Sequence, residues 1–483
     1  MRRLLLSASA VLALSACAVG PDYHAPKPLA PAQTDLKEAT AGATLSVDPL
    51  PEKWWRLFDD PTLDGLVEKA LAHNTDLRVA AANLKRARAV LGEARAARLP
   101  TTNVSAQGTY QQIGIGNPQM QGLSGPIRTD FYTAGFDASY ELDLFGGVSR
   151  SIEAARGDYG AAQAALDAAR VSIAAETART YASACGFGAQ AATARETVEL
   201  QAKTLDLTQR LLSGGRGTQR DVDQSTILVE QARAQAATFE AEHRAALYAL
   251  AVLTGEPPAS AEAAIAACTV LPTVKQPIPV GDGKAMLARR PDVREAERTL
   301  AADTARVGVA TAALYPSITL LGSISVGGTQ VSDLTKSDSI SYSVGPLLSW
   351  NFPFSGAARA RVRQNKAIAE GSLASFDKAV LTALQETEQA LARLKGAVDR
   401  EASLSRAMAA ANSASFIAEK RFDAGSDSFL QLLVAQNDRA NARAALAQAQ
   451  SDRAEAQVAL FKALGGGWEG APVPTAISAA GEE

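Results

Sequence analysis

The chain has 483 residues and a net charge of −3, from 48 Lys plus Arg against 51 Asp plus Glu. Hydrophobic residues make up 47 % and charged ones 20 %, which excludes general disorder, and no basic excess exists to neutralise nucleic-acid phosphates. Three Cys and three His, widely scattered, are too few for a zinc or disulfide framework.

Arg2 and Arg3 lead an apolar run from Leu4 to Leu14, the charged and hydrophobic regions of an export signal, too short to span a bilayer. The run ends in Leu14-Ser15-Ala16-Cys17, which resembles a bacterial lipobox. Cleavage there leaves residues 1–16 as signal peptide and the Cys17 thiol for acylation. Several acyl chains anchor stably where one binds only marginally. Ala18 stands where an inner-membrane retention Asp would be, so the mature chain is expected at the outer membrane, reaching into the periplasm. No apolar stretch of about 20 residues follows Cys17, so any passage through a bilayer must be as a β-barrel.

A helical pattern covers 63–98, and extended stretches follow. Val104, Ala106 and Tyr110 alternate with Asn103, Ser105, Gln107 and Thr109. From Tyr132 to Leu144 the even positions are Tyr, Ala, Phe or Leu, and the odd ones include Asp137, Glu141 and Asp143. Helices are predicted over 148–213 and 219–253, separated by the glycine-rich turn 211–218. After a linker at 256–281 the order recurs: helix 283–314, strands from Ile318 and from Ile340, helix 357–422, the turn 421–428 and helix 428–464. Four landmarks repeat at an offset of about 210 residues, so 63–255 and 282–467 form two structural repeats. Before them stands a lipid-anchored segment, 17–62, and after them a tail, 468–483. Residues 113–129 and 331–339 are the expected loops between paired strands.

All four strands alternate in one phase, which suits tilted transmembrane strands with one face to lipid and one to a lumen. Four strands cannot close a barrel, and an open edge cannot exist in lipid. Subunits must therefore pool strands: two copies give eight and a plugged interior, three give twelve and room for a channel. Each long helix spans roughly 100 Å and matches two shorter ones stacked end to end. Ala-rich faces let such helices approach closely. The expected fold is thus α+β, with a β-barrel continuous with a long helical barrel. Cys185 and Cys268 could meet in space, but unpaired buried thiols are expected.

Several motifs together carry a family resemblance: Cys17-Ala18-Val19-Gly20-Pro21-Asp22-Tyr23, Trp54-Trp55-Arg56-Leu57-Phe58, Asp60-Pro61-Thr62-Leu63, Asn74-Thr75-Asp76-Leu77 and Lys462-Ala463-Leu464-Gly465-Gly466-Gly467-Trp468. The chain resembles the TolC-like outer-membrane efflux ducts, in their NodT/OprM-type lipoprotein branch. The resemblance implies a homotrimer with a 12-stranded barrel and a 12-helix tunnel, and a collar built from 36–58, 256–279 and the C-terminus. It implies partners as well: a periplasmic adaptor, an inner-membrane efflux transporter and outer-membrane lipid. Passive conduction of drugs or other small molecules is implied, gated at the periplasmic helix tips.

The tips map onto Gly217, Thr218 and Asp221 in the first repeat, and onto Phe422, Asp423, Gly425, Asp427 and Leu430 in the second. Glycines there are expected to supply the left-handed turns. Val434 and Asn437 stand where the family pattern has Asp and Arg, so a Val434 ring would constrict by dewetting. Asp221, Asp427, Asp438 and Arg439 are substitute latch candidates. Asp137, Glu141 and Asp143 would form acidic lumen rings favouring cations. A duct for type I protein secretion and a lipid-anchored coiled-coil scaffold are the alternatives. An enzyme is not expected: His24, His73 and His243 share no ligand spacing, and Gly214-Gly215-Arg216-Gly217 lacks the residues of a phosphate loop. No cofactor or metal is expected beyond covalent lipid on Cys17.

Overall fold

The computed structural model describes residues 18–26, 36–38, 45–113, 127–260, 263–350 and 356–475. The export signal, Cys17, the core of the expected 113–129 loop, residues 351–355 and the end of the tail lie outside the described residues. Helices α1 (Pro61–His73), α2 (Thr75–Ala96), α3 (Gly147–Ser213), α4 (Gln219–Leu253), α5 (Gly283–Arg289), α6 (Pro291–Ala312), α7 (Ala357–Asp423) and α8 (Phe429–Ala463) carry most of the chain. Strands are β1 (Leu45–Ser46), β2 (Thr101–Ile113), β3 (Ile127–Leu142), β4 (Ile278–Pro279), β5 (Ser317–Gly328) and β6 (Ile340–Ser349). The two halves match in length: α3 and α7 have 67 residues each, α4 and α8 have 35, and α2 and α6 have 22.

The chain divides into two compact units. The first contains Lys85–Ala161, Ala296–Phe376 and the N-terminal residues 18–26. Its sheet is antiparallel throughout, in the order β2-β3-β5-β6. The register aligns Val104, Phe136, Ile324 and Tyr342 across all four strands on one face. That face is exposed: Val104 at 79 %, Tyr342 at 82 % and Val344 at 85 %. One residue along, Asn103, Asp137, Ser323 and Ser343 align on the opposite, polar face.

Strand β3 stops at Leu142, so Asp143 leaves the polar face on which the alternation put it. Its carboxylate instead caps α3, accepting from the Val148 and Ser149 amides at 2.9 and 2.8 Å. Four unpaired amides at a helix start attract an acceptor more strongly than strand periodicity holds it. Beneath the strands Phe145 stacks on Tyr315, with ring centroids 4.6 Å apart. Residues 18–22 are tied down there. The Val19 amide donates to Phe145 O at 3.2 Å, and buried Arg150 donates to Asp22 at 2.6 Å and to Glu153 at 2.8 Å. Gly20, at φ +96°, lies against Gly308, where a Cβ would come within 2.5 Å of its Cα.

The second unit contains residues 36–84, Ala162–Glu295 and 377–475. The single helices expected over 63–98 and 283–314 are each broken near the start. Asn74 separates α1 from α2: its Oδ1 accepts from the Asp76 and Leu77 amides, and its Nδ2 donates to Leu253 O at 3.0 Å. Arg290 separates α5 from α6, with Pro291 opening the new helix. It donates to Ala463 O at 2.8 Å, to both Asp292 oxygens at 3.0 and 2.6 Å, and to Glu386 at 2.7 Å. In each repeat the break residue therefore caps the C-terminus of the repeat's last helix. Continuous helical periodicity conceals this, because a cap changes the backbone without interrupting the apolar spacing.

The tryptophan motif forms a 3-10 turn at Trp54–Phe58, in which Trp54 stacks on Phe461 at 4.8 Å. Asp60 caps α1 through the Thr62 and Leu63 amides, with Pro61 at the first helical position. β1 pairs in parallel with β4, joining the N-terminal segment to the linker. Near the C-terminus the Thr475 amide donates to Ala72 O at 2.8 Å. The expectation of free thiols is overturned: Cys185 and Cys268 form a disulfide, with Cα atoms 4.8 Å apart. Eighty-three residues separate them in sequence, and only the return of the linker onto α3 brings them together.

Asn74→Ala removes one helix cap and one interhelical bond, so a loss of about 1–2 kcal/mol is expected in thermal or denaturant unfolding. Arg290→Ala should cost more, because it strips four bonds made by a buried cation.

Candidate functional site

Two places concentrate the residues singled out in the sequence: the hairpins that join the long helices to their partners, and the polar face of the sheet. Both hairpins use the same construction. In the first, Gly215 takes φ +71°, the Gly215 amide donates to Leu212 O, and the Arg216 amide donates to Leu211 O at 2.8 Å. In the second, Gly425 takes φ +72°, with equivalent bonds from Gly425 to Phe422 O and from Ser426 to Arg421 O. These are glycine helix stops with the five-back hydrogen bond that consumes an orphan carbonyl. The left-handed residue of the first hairpin is thus Gly215, while Gly217 keeps an ordinary φ. The turn expected at Gly217 falls two residues earlier, where the equal helix lengths set Gly215 against Gly425.

Both outgoing helices start with a capping box. Thr218 and Asp221 form the first, and Ser428 and Gln431 the second. Asp221 is therefore committed locally: its Oδ2 accepts from the Thr218 hydroxyl at 2.7 Å and the Thr218 amide at 3.0 Å. These bonds hold its carboxyl below the usual range. Asp427 is also spent within its own turn, paired with Arg421 Nε at 2.9 Å. Among the described residues, neither of these latch candidates bonds beyond its own hairpin. Phe422 packs edge-on against Phe429 at 6.1 Å and rests half-buried, while Asp423 is exposed. Leu430 and Val434 are exposed, at 56 % and 53 %, on the same side of α8. Asn437 borders a groove of ≈ 350 Å³ between α3, α4 and α8 whose lining has no charged side chain.

The polar links that do join helices lie elsewhere, and no local pattern announced them. Arg443 on α8 reaches Glu196 on α3 at 2.6 Å, drawing the Glu196 carboxyl below its ordinary range. Thr204 on α3 donates to Gln436 on α8 at 3.1 Å, a buried contact. Arg195 ties α3 to Glu240 on α4 at 2.7 Å, and Arg453 on α8 meets Glu401 on α7 at 2.8 Å. Finding such pairs requires knowing which helices are neighbours.

On the sheet, Asp137 and Glu141 are exposed on the polar face of β3, four residues apart. Asp137 sits opposite Asn103 and Ser323, and Glu141 opposite Thr319. Asp143 belongs to the helix cap described above. Among the described residues no group of three or more His, Cys, Asp or Glu could hold a metal ion. No described helix is long and apolar enough to cross a membrane.

The chain matches the sequence model of a family described as outer membrane efflux protein over residues 66–256 and 283–466. It is 32 % identical over 478 residues to the outer membrane protein OprJ of Pseudomonas aeruginosa, covering 97 % of both chains. To nodulation protein T of Rhizobium leguminosarum bv. trifolii it is 30 % identical over 442 residues, covering 90 % of this chain and 91 % of the relative. Among solved structures, the outer-membrane channel OprN aligns with a TM-score of 0.87 at 34 % identity, over 94 % of this chain and 100 % of that one.

Thr218→Ala and Ser428→Ala should each remove about 1 kcal/mol from a helix start. Amide exchange in the first turn of α4 or α8 is then expected to quicken roughly fivefold, with the other hairpin unchanged. Equal exchange in wild type and variant would mean that the boxes do not hold these turns.

Proposed function

We propose, from the premise that this chain belongs to the outer membrane efflux protein family, that three copies form the exit duct of a tripartite efflux pump. The duct lies in the outer membrane and passively conducts drugs or other small molecules. One observation carries this reading: a four-stranded antiparallel sheet with an exposed apolar face, a polar face behind it and outer edges on β2 and β6 that no other described strand pairs. Edges and face are both satisfied if three sheets close into twelve strands, with the apolar face to lipid and the polar face to water. In that barrel Asp137 and Glu141 become threefold acidic rings biased towards cations.

The helices supply reach. Sixty-seven residues extend about 100 Å, a length suited to crossing the periplasm. The hairpins form the gate. The Glu196–Arg443 and Thr204–Gln436 links hold α8 against α3, and Val434 and Leu430 supply apolar surface that resists wetting. A periplasmic adaptor grips these tips, and an inner-membrane transporter supplies the energy; the duct itself needs no cofactor or metal. Acylated Cys17 anchors the chain. Its support is the binding of residues 18–22 by Arg150, beside the Phe145–Tyr315 stack. Asp22 keeps a carboxyl depressed by Arg150, so this ion pair is complete at neutral pH and is lost only as pH falls below the ordinary aspartate range.

Deleting the gene should raise retention of a panel of dyes and antibiotics. Wild type should restore efflux, and a copy disrupted around Gly425 should not. Glu196→Ala and Arg443→Ala should loosen the closed gate and admit bulky antibiotics that the intact duct excludes. Full efflux from the Gly425-disrupted copy would contradict dependence on the tips.

A further inference from the structure

Away from the hairpins, three segments of the second unit meet at one point. Cys185 on α3 is bonded to Cys268 of the linker. His243 on α4 sits between the same two segments, with Nδ1 2.8 Å from Ala184 O and Nε2 3.2 Å from Ala266 O. A neutral imidazole donates to one of these carbonyls, its tautomer choosing which. Gly188 makes the approach possible: a Cβ there would stand 2.2 Å from Cys268 O and 3.3 Å from His243 Cε1. The two cysteines differ in exposure. Cys185 is fully buried, whereas Cys268 is partly open on the linker side.

We propose that Cys185 and Cys268 are a covalent modification site, closed after export by exchange with a thiol–disulfide carrier, and that the bond clasps the linker onto α3. The Cys268 thiolate, being reachable, attacks the carrier's disulfide. One carrier sulfur leaves as thiolate, and a mixed disulfide forms between Cys268 and the other. The Cys185 thiolate then attacks Cys268 Sγ, the bond to the carrier breaks, and the carrier departs as its dithiol. Two electrons pass to the carrier, and the two thiol protons end on its sulfurs. Reopening at Cys268 would strand a Cys185 thiolate in a site closed to water, so burial opposes reversal. His243 is the non-covalent half of the clasp, and Gly188 is the space it requires. The proposal rests on the outer-membrane reading only in placing the chain in an oxidising compartment.

The full-length protein is isolated from membranes lysed in denaturant with N-ethylmaleimide and without reductant, so that any free thiol, buried or not, is reached. Neither Cys185 nor Cys268 should be alkylated; after reduction both should be. Reducing the folded protein should speed proteolysis within the linker, 256–281, about tenfold while helix content holds. Cys185→Ser and Cys268→Ser should reproduce this, and Gly188→Ala should leave both thiols open to alkylation without reductant. If the serine variants do not accumulate, reduction of the folded wild type gives the same test. Alkylation of both thiols before reduction, or unchanged proteolysis after it, overturns the clasp. Dye efflux measured on the same cells reports on the duct separately, so failure of one reading leaves the other standing.

Discussion

A sheet that is apolar on one face and unpaired at both edges is stable neither in water nor in lipid by itself. Water penalises the face, where Val104, Tyr342 and Val344 stand almost fully exposed. Hydrocarbon penalises the edges, because an amide without a partner costs several kcal/mol there. Closure with further copies removes both penalties at once, since the edges pair and the face meets lipid. The rest of the chain is consistent with that need. Asp143 and Phe145 mark an abrupt change from strand to helix, and Arg150 holds residues 18–22 at the same level.

The two repeats keep their geometry and vary its chemistry. The three longer helix pairs agree in length residue for residue, yet the break that caps the last helix is an amide at Asn74 and a guanidinium at Arg290. The capping boxes likewise pair Thr218 with Asp221 in one half and Ser428 with Gln431 in the other. What persists is the requirement: orphan carbonyls need donors and orphan amides need acceptors. Residues that look unlike in sequence therefore do the same work. The glycines Gly215 and Gly425 stay identical because a left-handed backbone admits few substitutes.

Much of this was legible in the residues. Strand alternation assigned the two faces of the sheet, since a period of two admits no compromise once one face is apolar. The lengths of the long helices followed from uninterrupted periodicity between glycine stops. Four readings needed correction, each where a local hydrogen bond or a long-range contact competes with pattern. Asp143 answers helix amides in preference to strand phase. Asn74 and Arg290 break helices whose apolar spacing continues across them. Gly215 takes the left-handed turn expected at Gly217. Cys185 meets Cys268 through chain return over 83 residues, which composition cannot reveal. The interhelical links at Glu196–Arg443 and Thr204–Gln436 were invisible for the same reason: both depend on which helix faces which.

The central claim is that three chains close one water-filled barrel. The most direct measurement is the native mass of the full-length protein purified in detergent, followed by conductance of the same particles in a planar bilayer. The account predicts a mass of three chains and discrete conductance steps, with cations favoured and the preference reduced by Asp137→Asn and Glu141→Gln. A single-chain mass, or a three-chain particle that never conducts even with the Glu196–Arg443 link removed, would contradict it.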